Sequence, residues 1–204
     1  MNIGLAIDNL TVLRGNRVVL RNLSLNLTGG TVLALEGPNG SGKTTLLRAI
    51  AGLLAPAGGT ITINHNGATL TDPEDRGTAI GWLGHQDGIK AQLTVAEQAT
   101  FWAKVYGQAG DVTATLKRFG IAALADLRGV VLSAGQKRRL ALARLTLANR
   151  PLWLLDEPLA ALDTAGKALV AEAVAAKAAD GGIVIAATHD PLGLDCQRLQ
   201  LGGR

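Results

Sequence analysis

The spacing of apolar side chains changes several times along the 204-residue chain, and each change predicts a type of secondary structure. Between residues 3 and 27, apolar positions recur about every second residue on both sides of a polar turn at 14–17. This spacing predicts antiparallel strands with one buried face. Further short apolar runs predict strands at residues 31–36, 79–83, 152–155 and 182–187, and the alternating Thr-Ile-Thr-Ile at residues 60–63 predicts another strand. Runs that are apolar at nearly every position are typical of a parallel sheet covered on both faces.

Helical spacing, with apolar residues three and four positions apart, separates several of these strands. Thr94 followed by Glu97 is the sequence of a capping box that begins one helix, and residues 107–110 are expected to end it. Other helices are predicted at residues 43–51, 112–119, 135 to about 147, and 164–179. This alternation predicts an α/β fold in which helices cover a parallel sheet.

A single domain is predicted over residues 1–204. Residues 1–85 and 150–204 are expected to form a core around the parallel sheet, together with the antiparallel β subdomain. Residues 86–149, which have helical patterns and no strand, are expected to form an inserted helical subdomain.

Composition narrows the classes of protein that the chain can represent. The net charge of +4 favours a phosphate-bearing ligand, a nucleic acid or an anionic membrane surface, but only weakly. A single cysteine excludes an internal disulfide. No apolar run approaches the ~18 residues of a membrane span, and Asp8 and Asn9 interrupt the pattern of a signal peptide. We therefore expect a cytosolic protein, or one bound to the cytosolic side of a membrane.

A glycine-rich loop between a predicted strand and a predicted helix has the P-loop pattern G-x-x-x-x-G-K-[ST]. The candidate nucleotide-binding residues are Gly37, Pro38, Asn39, Gly40, Ser41, Gly42, Lys43, Thr44 and Thr45. Glycines allow backbone N–H groups to surround phosphate oxygens, and the following helix adds positive potential. Lys43 is expected to contact the β- and γ-phosphates, Thr44 to ligate Mg²⁺, and Thr45 to reach the α-phosphate.

Two acids follow the apolar strand at residues 152–155. A buried parallel strand would place Asp156 beside Thr44, where its carboxylate can hold Mg²⁺. Glu157 would then orient and deprotonate the attacking water. By themselves the two acids could equally belong to a solvated turn, and it is the P-loop that favours the catalytic interpretation.

The remaining motifs, in their order along the chain, resemble those of ATP-binding cassette (ABC) ATPases. Residues 132–136, Leu-Ser-Ala-Gly-Gln, resemble the signature loop of that family and precede the Asp-Glu strand by about twenty residues. Gln86 follows a strand as the Q-loop glutamine does, residues 160–163 resemble the D-loop, and His189 stands where the family has its switch histidine.

The resemblance implies a fold, ligands and roles for individual residues. The implied fold is a P-loop NTPase cassette with a RecA-like parallel core, and the implied cofactors are ATP and Mg²⁺. Gln86 would contact Mg²⁺ and the attacking water, and His189 would contact the γ-phosphate. Ser133, Gly135 and Gln136 would bind ATP held by a second copy of the chain, in a head-to-tail dimer.

One position departs from the family pattern. Cassettes usually stack an aromatic side chain on adenine, but the matching place, residues 13–15, offers only Arg14. A guanidinium plane can stack on a base, which would make selectivity for adenine weaker. Alternatively, Arg14 is a solvated turn residue.

The segment at residues 84–94 resembles one branch of the family more closely. It matches the Gly-His-Gln-x-Gly-Ile-Lys-x-x-Leu-Thr segment of the ATP-binding subunits of bacterial cytochrome c maturation, also called haem exporters, although Asp87 stands where that branch commonly has proline. The resemblance implies a peripheral ATPase on the cytoplasmic face of the inner membrane. It would couple ATP hydrolysis to haem handling with integral membrane subunits. Candidates for docking those subunits are Ile89, Leu93, Trp102 and Tyr106, unless they serve only core packing.

Three other functions remain as alternatives. The runner-up is the ATP-binding subunit of an ABC transporter with a different cargo. A nucleic-acid-binding cassette is disfavoured because the 47 residues from Gln86 to Leu132 contain no sustained heptads, so no nucleic-acid partner is expected. A regulatory subunit without hydrolysis is disfavoured because Gln86, Glu157 and His189 are all present.

Overall fold

The computed structural model describes residues 2–107 and 111–202, which form nine strands and six α-helices. The strands are β1 (Ile3–Arg14), β2 (Arg17–Thr28), β3 (Val32–Glu36), β4 (Gly58–His65), β5 (Ala68–Leu70), β6 (Ile80–Leu83), β7 (Leu152–Asp156), β8 (Ile183–Ala187) and β9 (Gln197–Gln200). The helices are α1 (Lys43–Ile50), α2 (Pro73–Ala79), α3 (Val95–Val105), α4 (Val112–Arg118), α5 (Ala134–Ala148) and α6 (Thr164–Ala179). Short 3₁₀ turns occur at Ala122–Leu124 and Gly129–Val131.

The central sheet has five strands in the order β6-β7-β8-β3-β9, and every pair in it is parallel. All residues of β7 and β8 are buried, which agrees with their continuous apolar sequences. The register pairs Asp156 with Ala187 and Leu35 with Ala187, so β3, β7 and β8 end at the same edge. The loops that follow β3, β7 and β8 therefore emerge side by side, as predicted.

The second sheet has four antiparallel strands in the order β2-β1-β4-β5. Strand β4 begins earlier than predicted, at Gly58, and Gly59 has a φ of 82° beside an irregularity in β1. A Cβ atom at Gly59 would lie 2.4 Å from the carbonyl oxygen of Asp8, so only glycine fits there.

The hydrophobic core lies on both faces of the parallel sheet. Leu152 and Leu154 of β7 point to one face, where they join the antiparallel sheet and α1. Trp153 and Leu155 point to the other face, where they join the apolar residues of α3, α4, α5 and α6. Each fully buried aliphatic side chain contributes on the order of 1.5–3 kcal/mol by leaving water. The helices of residues 86–149 thus share one core with the sheet, and their status as a separate subdomain stays a prediction.

Local sequence signals explain where most helices begin. The predicted capping box of α3 is present: the Glu97 N–H donates to the Thr94 hydroxyl, and the Thr94 N–H donates to the Glu97 carboxylate. Helix α3 ends at Val105, whereas residues 108–110 of the predicted terminator lie outside the described residues. Within residues 2–107 and 111–202, no helix has the length and apolar content needed to cross a bilayer.

Three elements were not predicted. Helix α2 replaces the start of the strand expected at 79–83, because Asp72 caps the helix and Pro73 fits its first turn, so β6 begins only at Ile80. Strands β5 and β9 lie at sheet edges and are mostly exposed, and they therefore lack an apolar pattern.

Candidate functional site

A cleft of about 960 Å³ opens at the carboxyl edge of the parallel sheet, where ligands bind in folds of this kind. The loop at residues 37–45, the end of β7 and the loop after β8 contribute to its walls. The described residues that line it are Arg14, Arg17, Val18, Val19, Pro38, Asn39, Gly40, Ser41, Gly42, Lys43, Thr44, Thr45, Arg48, His85, Asp156, Glu157, His189 and Gly202.

The loop before α1 has the close backbone packing that its glycines predicted. Gly37 has a φ of 138°, and a Cβ atom there would lie 2.3 Å from the carbonyl oxygen of Leu201, so a larger residue would displace the loop. The Lys43 ammonium donates to the carbonyl oxygens of Gly37, at 2.6 Å, and Pro38, at 3.2 Å. Ser41 also lines the cleft, and its buried hydroxyl oxygen has no hydrogen-bond partner among the described residues. These features suit a loop that surrounds an anion.

Thr44 and Asp156 meet as the sequence predicted. The Thr44 hydroxyl donates a hydrogen bond of 3.0 Å to the Asp156 Oδ1, and Asp156 is buried. A hydroxyl and a carboxylate are oxygen ligands of the kind that Mg²⁺ takes, usually with only one or two protein groups beside phosphates and waters. Thr44 and Asp156 therefore fit Mg²⁺ as two of its ligands. The described residues contain no group of three or more Asp, Glu, His or Cys side chains that could hold a metal ion by themselves.

Glu157 has an unusual backbone conformation next to this pair. Its φ is 51°, in the left-handed region that costs a residue with a side chain on the order of 1–3 kcal/mol. The Glu157 N–H donates to the carbonyl oxygen of Ala187 at 2.8 Å, which helps to fix the conformation. The Glu157 side chain lines the cleft, with its Oε1 3.5 Å from the His189 Nε2.

His189 connects the catalytic candidates to the glycine-rich loop. Its Nε2 lies 2.9 Å from the Asn39 Oδ1 and 3.4 Å from the Lys43 Nζ. Strand β8 ends two residues before His189, and Thr188 follows β8 as a buried residue. The side chains of Lys43, Glu157 and His189 therefore converge on one part of the cleft, and their catalytic roles stay predictions.

Gln86 is one of the predicted site residues that the structure does not bring to the cleft. It is exposed and lies outside the set of described residues that line the cavity, whereas its neighbour His85 belongs to that set. The role of Gln86 stays a prediction.

The signature loop also lies outside the cleft of its own chain. Ser133 caps α5: its hydroxyl accepts from the Gln136 N–H at 3.2 Å, and its N–H donates to the Gln136 Oε1 at 2.9 Å. The exposed Ser133 hydroxyl still has its own proton to donate. Gly135 lies against the D-loop, since a Cβ atom there would be 3.0 Å from the carbonyl oxygen of Ala161. Nucleotide contacts by Ser133, Gly135 and Gln136 therefore require a second molecule and remain predictions.

Three arginines line the cleft, two of them where β1 turns into β2 and one on α1. Arg14, Arg17 and Arg48 line the cavity with Val18 and Val19, and no aromatic side chain does so among the described residues. The structure thus places Arg14 where a base could lie against it, but whether it stacks on adenine stays a prediction.

The D-loop carboxylate of Asp163 is held in its charged form. The N–H of Gly166 and, to a smaller extent, the guanidinium of Arg139 donate to it, which lowers the pKa of Asp163 below its usual value. Asp163 also caps α6, so the same carboxylate fixes the helix start next to the D-loop.

Two of the four candidate docking residues, Trp102 and Tyr106, belong to an aromatic surface at the end of α3. Trp102 stacks on Tyr106 with ring centroids 5.6 Å apart, and the Arg144 guanidinium lies over the Trp102 ring. Phe101, which the sequence did not single out, is more exposed, at 53%, and meets Trp102 edge to face. Ile89 packs partly against the core, whereas Leu93 is exposed. These aromatic residues therefore pack against one another, and part of their apolar surface stays exposed to solvent.

Arg138 is a site residue that the sequence did not reveal. It lies on α5 just after the signature loop and is only 2% exposed. Its guanidinium donates to the backbone of Gly84, Asp156 and Glu157 and to the carboxylate of Asp87. In the sequence it stands among three consecutive basic residues, and only the folded chain distinguishes it from its neighbours.

Comparison with known proteins agrees with this geometry. The model of the family described as ABC transporter matches residues 20–160. The "Cytochrome c biogenesis ATP-binding export protein CcmA" of Bradyrhizobium diazoefficiens is 47% identical over 191 residues, which cover 93% of this chain and 94% of that protein. The protein of the same description from Ruegeria pomeroyi is 46% identical, covering 97% of this chain and 91% of that protein.

Solved structures show the same fold. An ABC transporter ATP-binding protein from Pyrococcus furiosus superposes with a TM-score of 0.83 at 27% identity, covering 97% of each chain. A dimeric ATP-binding cassette in a post-hydrolysis state, bound to ADP and Pi, has a TM-score of 0.77 at 26% identity and covers 91% of this chain and 88% of its own. The predicted cassette fold is therefore confirmed.

Proposed function

The chain belongs to the ABC transporter family, whose members bind and hydrolyse ATP, and we propose that it is the ATP-hydrolysing subunit of a haem-handling membrane complex in cytochrome c biogenesis. The observation that carries the ATPase part of this proposal is the 3.0 Å hydrogen bond between Thr44 and Asp156 in the floor of the cleft. It joins the phosphate-binding loop to the strand that ends in Glu157.

ATP binding follows from the loop and the positive end of α1. The triphosphate would lie along residues 37–45, where backbone N–H groups at the helix start favour anions. Lys43 would exchange its contacts with the carbonyl oxygens of Gly37 and Pro38 for contacts with the β- and γ-phosphates. Thr44 and Asp156 would hold Mg²⁺, which supplies positive charge to the phosphates.

Hydrolysis requires a base and a group that senses the γ-phosphate. Glu157 would accept the proton of the attacking water, while the β–γ phosphoanhydride bond breaks and ADP leaves. His189, whose Nε2 lies 3.5 Å from Glu157 and 3.4 Å from Lys43, would contact the γ-phosphate between them. The observed convergence of these side chains supports the assignment.

A second copy of the chain would complete each site. The exposed Ser133 hydroxyl and the start of α5, which lie outside the cleft that Lys43 lines, would form an anion-binding surface. In a head-to-tail dimer, this surface of one protomer would face the γ-phosphate bound by its partner. The dimeric cassette described above supports this arrangement.

The relatives of the chain suggest its membrane partner and its cargo. Relatives 47% and 46% identical, aligned over nearly the whole chain, carry the description of a cytochrome c biogenesis export protein. We therefore assign this chain to the cytoplasmic face of the inner membrane. There it would bind integral subunits of that complex through the surface around Trp102 and couple hydrolysis to haem handling.

Affinity purification from solubilised membranes tests this assignment. The expected result is co-purification of an integral membrane subunit of a haem-handling complex, with haem in the complex, and retention of both in a Lys43→Ala variant that does not hydrolyse ATP. Co-purification of a membrane subunit with a different bound cargo would identify the alternative, an ABC transporter of another substrate.

A further inference from the structure

Arg138 connects three segments that the sequence keeps far apart. From α5, its Nη1 donates to the carbonyl oxygen of Gly84 at 2.9 Å and to the Asp87 Oδ1 at 2.7 Å. Its Nη2 donates to the carbonyl oxygen of Asp156 at 2.9 Å and to that of Glu157. One guanidinium therefore links the loop after β6 to the end of β7.

Stability alone gives no reason for a charged side chain at this position. The Arg138 side chain is 3% exposed and that of Asp87 is 21% exposed, so the pair is largely removed from water. Buried ion pairs can often be replaced by apolar side chains of similar volume without loss of stability. The planar guanidinium offers something that an apolar residue lacks, namely donors in fixed directions toward several acceptors at once.

One acceptor of Arg138 belongs to a residue with a strained backbone. Glu157 has a φ of 51°, and such a conformation persists only when its surroundings hold it. The Glu157 N–H is held by the carbonyl oxygen of Ala187, and the Glu157 carbonyl oxygen is held by Arg138. These two contacts fix both peptide groups of Glu157, and thereby the direction in which its carboxylate leaves the main chain.

We propose that Arg138 is a positioning residue for ATP hydrolysis: it fixes the backbone of Glu157, and its own direction is set by Asp87 in the loop after β6. The inference rests on the proposed role of Glu157 as the base. Asp87, which lies outside the set of described residues that line the cleft, is thereby coupled to the catalytic carboxylate.

Asp87→Ala is the informative variant, because it preserves the arginine. It removes one acceptor and leaves the guanidinium its three carbonyl partners, so the protein should still fold. We expect kcat for ATP hydrolysis to fall about tenfold, as small misplacements of catalytic groups do, while KM for ATP changes less than about twofold. Asp87→Asn keeps an acceptor for Arg138 and should recover most of the rate. Asp195→Ala, at an exposed position outside the cleft, is the matched control and should leave kcat unchanged.

A second pair of variants separates positioning from a purely structural role. In single-turnover measurements, Asp87→Ala should slow hydrolysis when Glu157 is present but have no further effect in a Glu157→Gln background, because both changes act through one carboxylate. A purely structural role would lower the unfolding temperature and leave kcat of the folded protein unchanged.

The outcomes also distinguish this inference from the proposed function. If the wild type hydrolyses ATP and Glu157→Gln does not, the result supports Glu157 as the base. An unchanged kcat in Asp87→Ala, or an equal fall in both backgrounds, then overturns the positioning role alone. If the wild type does not hydrolyse ATP, the proposed function fails and the positioning role fails with it.

Discussion

The Thr44 hydroxyl donates a 3.0 Å hydrogen bond to the Asp156 Oδ1, although 112 residues separate them in sequence. The bond joins the first turn of α1 to the last residue of β7, on the floor of the cleft. It brings a hydroxyl and a carboxylate together at the place where the loop at residues 37–45 would present phosphates. This pair is the part of the site from which the metal and ATPase assignments follow.

Asp156→Asn should raise the Mg²⁺ concentration that supports half-maximal ATP hydrolysis by at least about tenfold, because a neutral amide is a weaker ligand for a hard cation. Thr44→Val, which keeps the volume and removes the hydroxyl, should act in the same direction. Mg²⁺ titrations of the hydrolysis rate measure both effects. Asp195→Asn, at an exposed position outside the cleft, is the control. An unchanged Mg²⁺ requirement in Asp156→Asn would remove that residue from the metal site.

Glu157→Gln should lower hydrolysis by about a hundredfold or more and accumulate an ATP-bound dimer, because the amide cannot accept the proton of the attacking water. Steady-state ATPase assays and gel filtration with ATP measure the two effects. Glu172→Gln, on the exposed face of α6, should behave as the wild type does. Near wild-type hydrolysis by Glu157→Gln would refute the assigned base.

The arginine-lined end of the cleft predicts weak discrimination between purine bases. A guanidinium can stack on any base, and the described lining provides no aromatic side chain. We expect kcat/KM for GTP to lie within about tenfold of that for ATP. Arg14→Tyr should change this ratio, whereas Arg21→Tyr, exposed on β2 and outside the lining, should not. Rejection of GTP by several hundredfold in the wild type would contradict a role for Arg14 at the base.

The fold and the nucleotide site could be predicted because local patterns determine them. The continuous apolar runs of β7 and β8 indicate burial on both faces, and parallel strands bring their carboxyl ends to one edge. Together with the P-loop pattern after β3, these two facts predict that Thr44 and Asp156 meet. The sequence also contains a start signal for helix α2, because Asp72 is a good N-cap residue and Pro73 fits the first turn. The strand pattern at residues 79–83 obscured this signal.

The contacts of Arg138 could not be predicted, because no local pattern encodes them. Its partners Gly84 and Asp87 lie 54 and 51 residues away, and their approach depends on how α5 packs beside β6 and β7. The exposed position of Gln86 was missed for a similar reason. A motif gives the order of residues along a loop, but the direction of each side chain depends on neighbours distant in sequence.

Trp102→Glu should weaken association with membranes that contain the partner subunit and leave ATP binding intact. A charge within the aromatic surface of α3 would oppose an apolar contact, and the residue lies outside the nucleotide cleft. Phe101→Glu, at a more exposed position, should have the same effect with less disturbance of local packing. Co-sedimentation measures the association. Leu53→Glu, exposed near the end of α1, is the control. Unchanged co-sedimentation of both α3 variants would exclude this surface as the docking site.

The trans role of the signature loop requires variants that preserve α5. Ser133→Asp retains a good N-cap residue but places negative charge where a γ-phosphate of the partner would lie. Thr94→Asp makes the same change at the capping box of α3 and should not affect hydrolysis. If Ser133→Asp lowers the ATPase rate and Thr94→Asp does not, the loss of activity results from the negative charge near the phosphate and not from a weakened helix.

Mixing the Ser133→Asp protein with a Lys43→Ala protein tests the central claim most directly. Each mixed dimer would contain one site with both Lys43 and Ser133 intact, and one site that lacks both. We predict that an equal mixture recovers about a quarter of the wild-type ATPase rate, because random pairing makes half of the dimers mixed. No activity above that of either variant alone, with mixed dimers demonstrated by differential tagging, would contradict an ATP site shared between two copies.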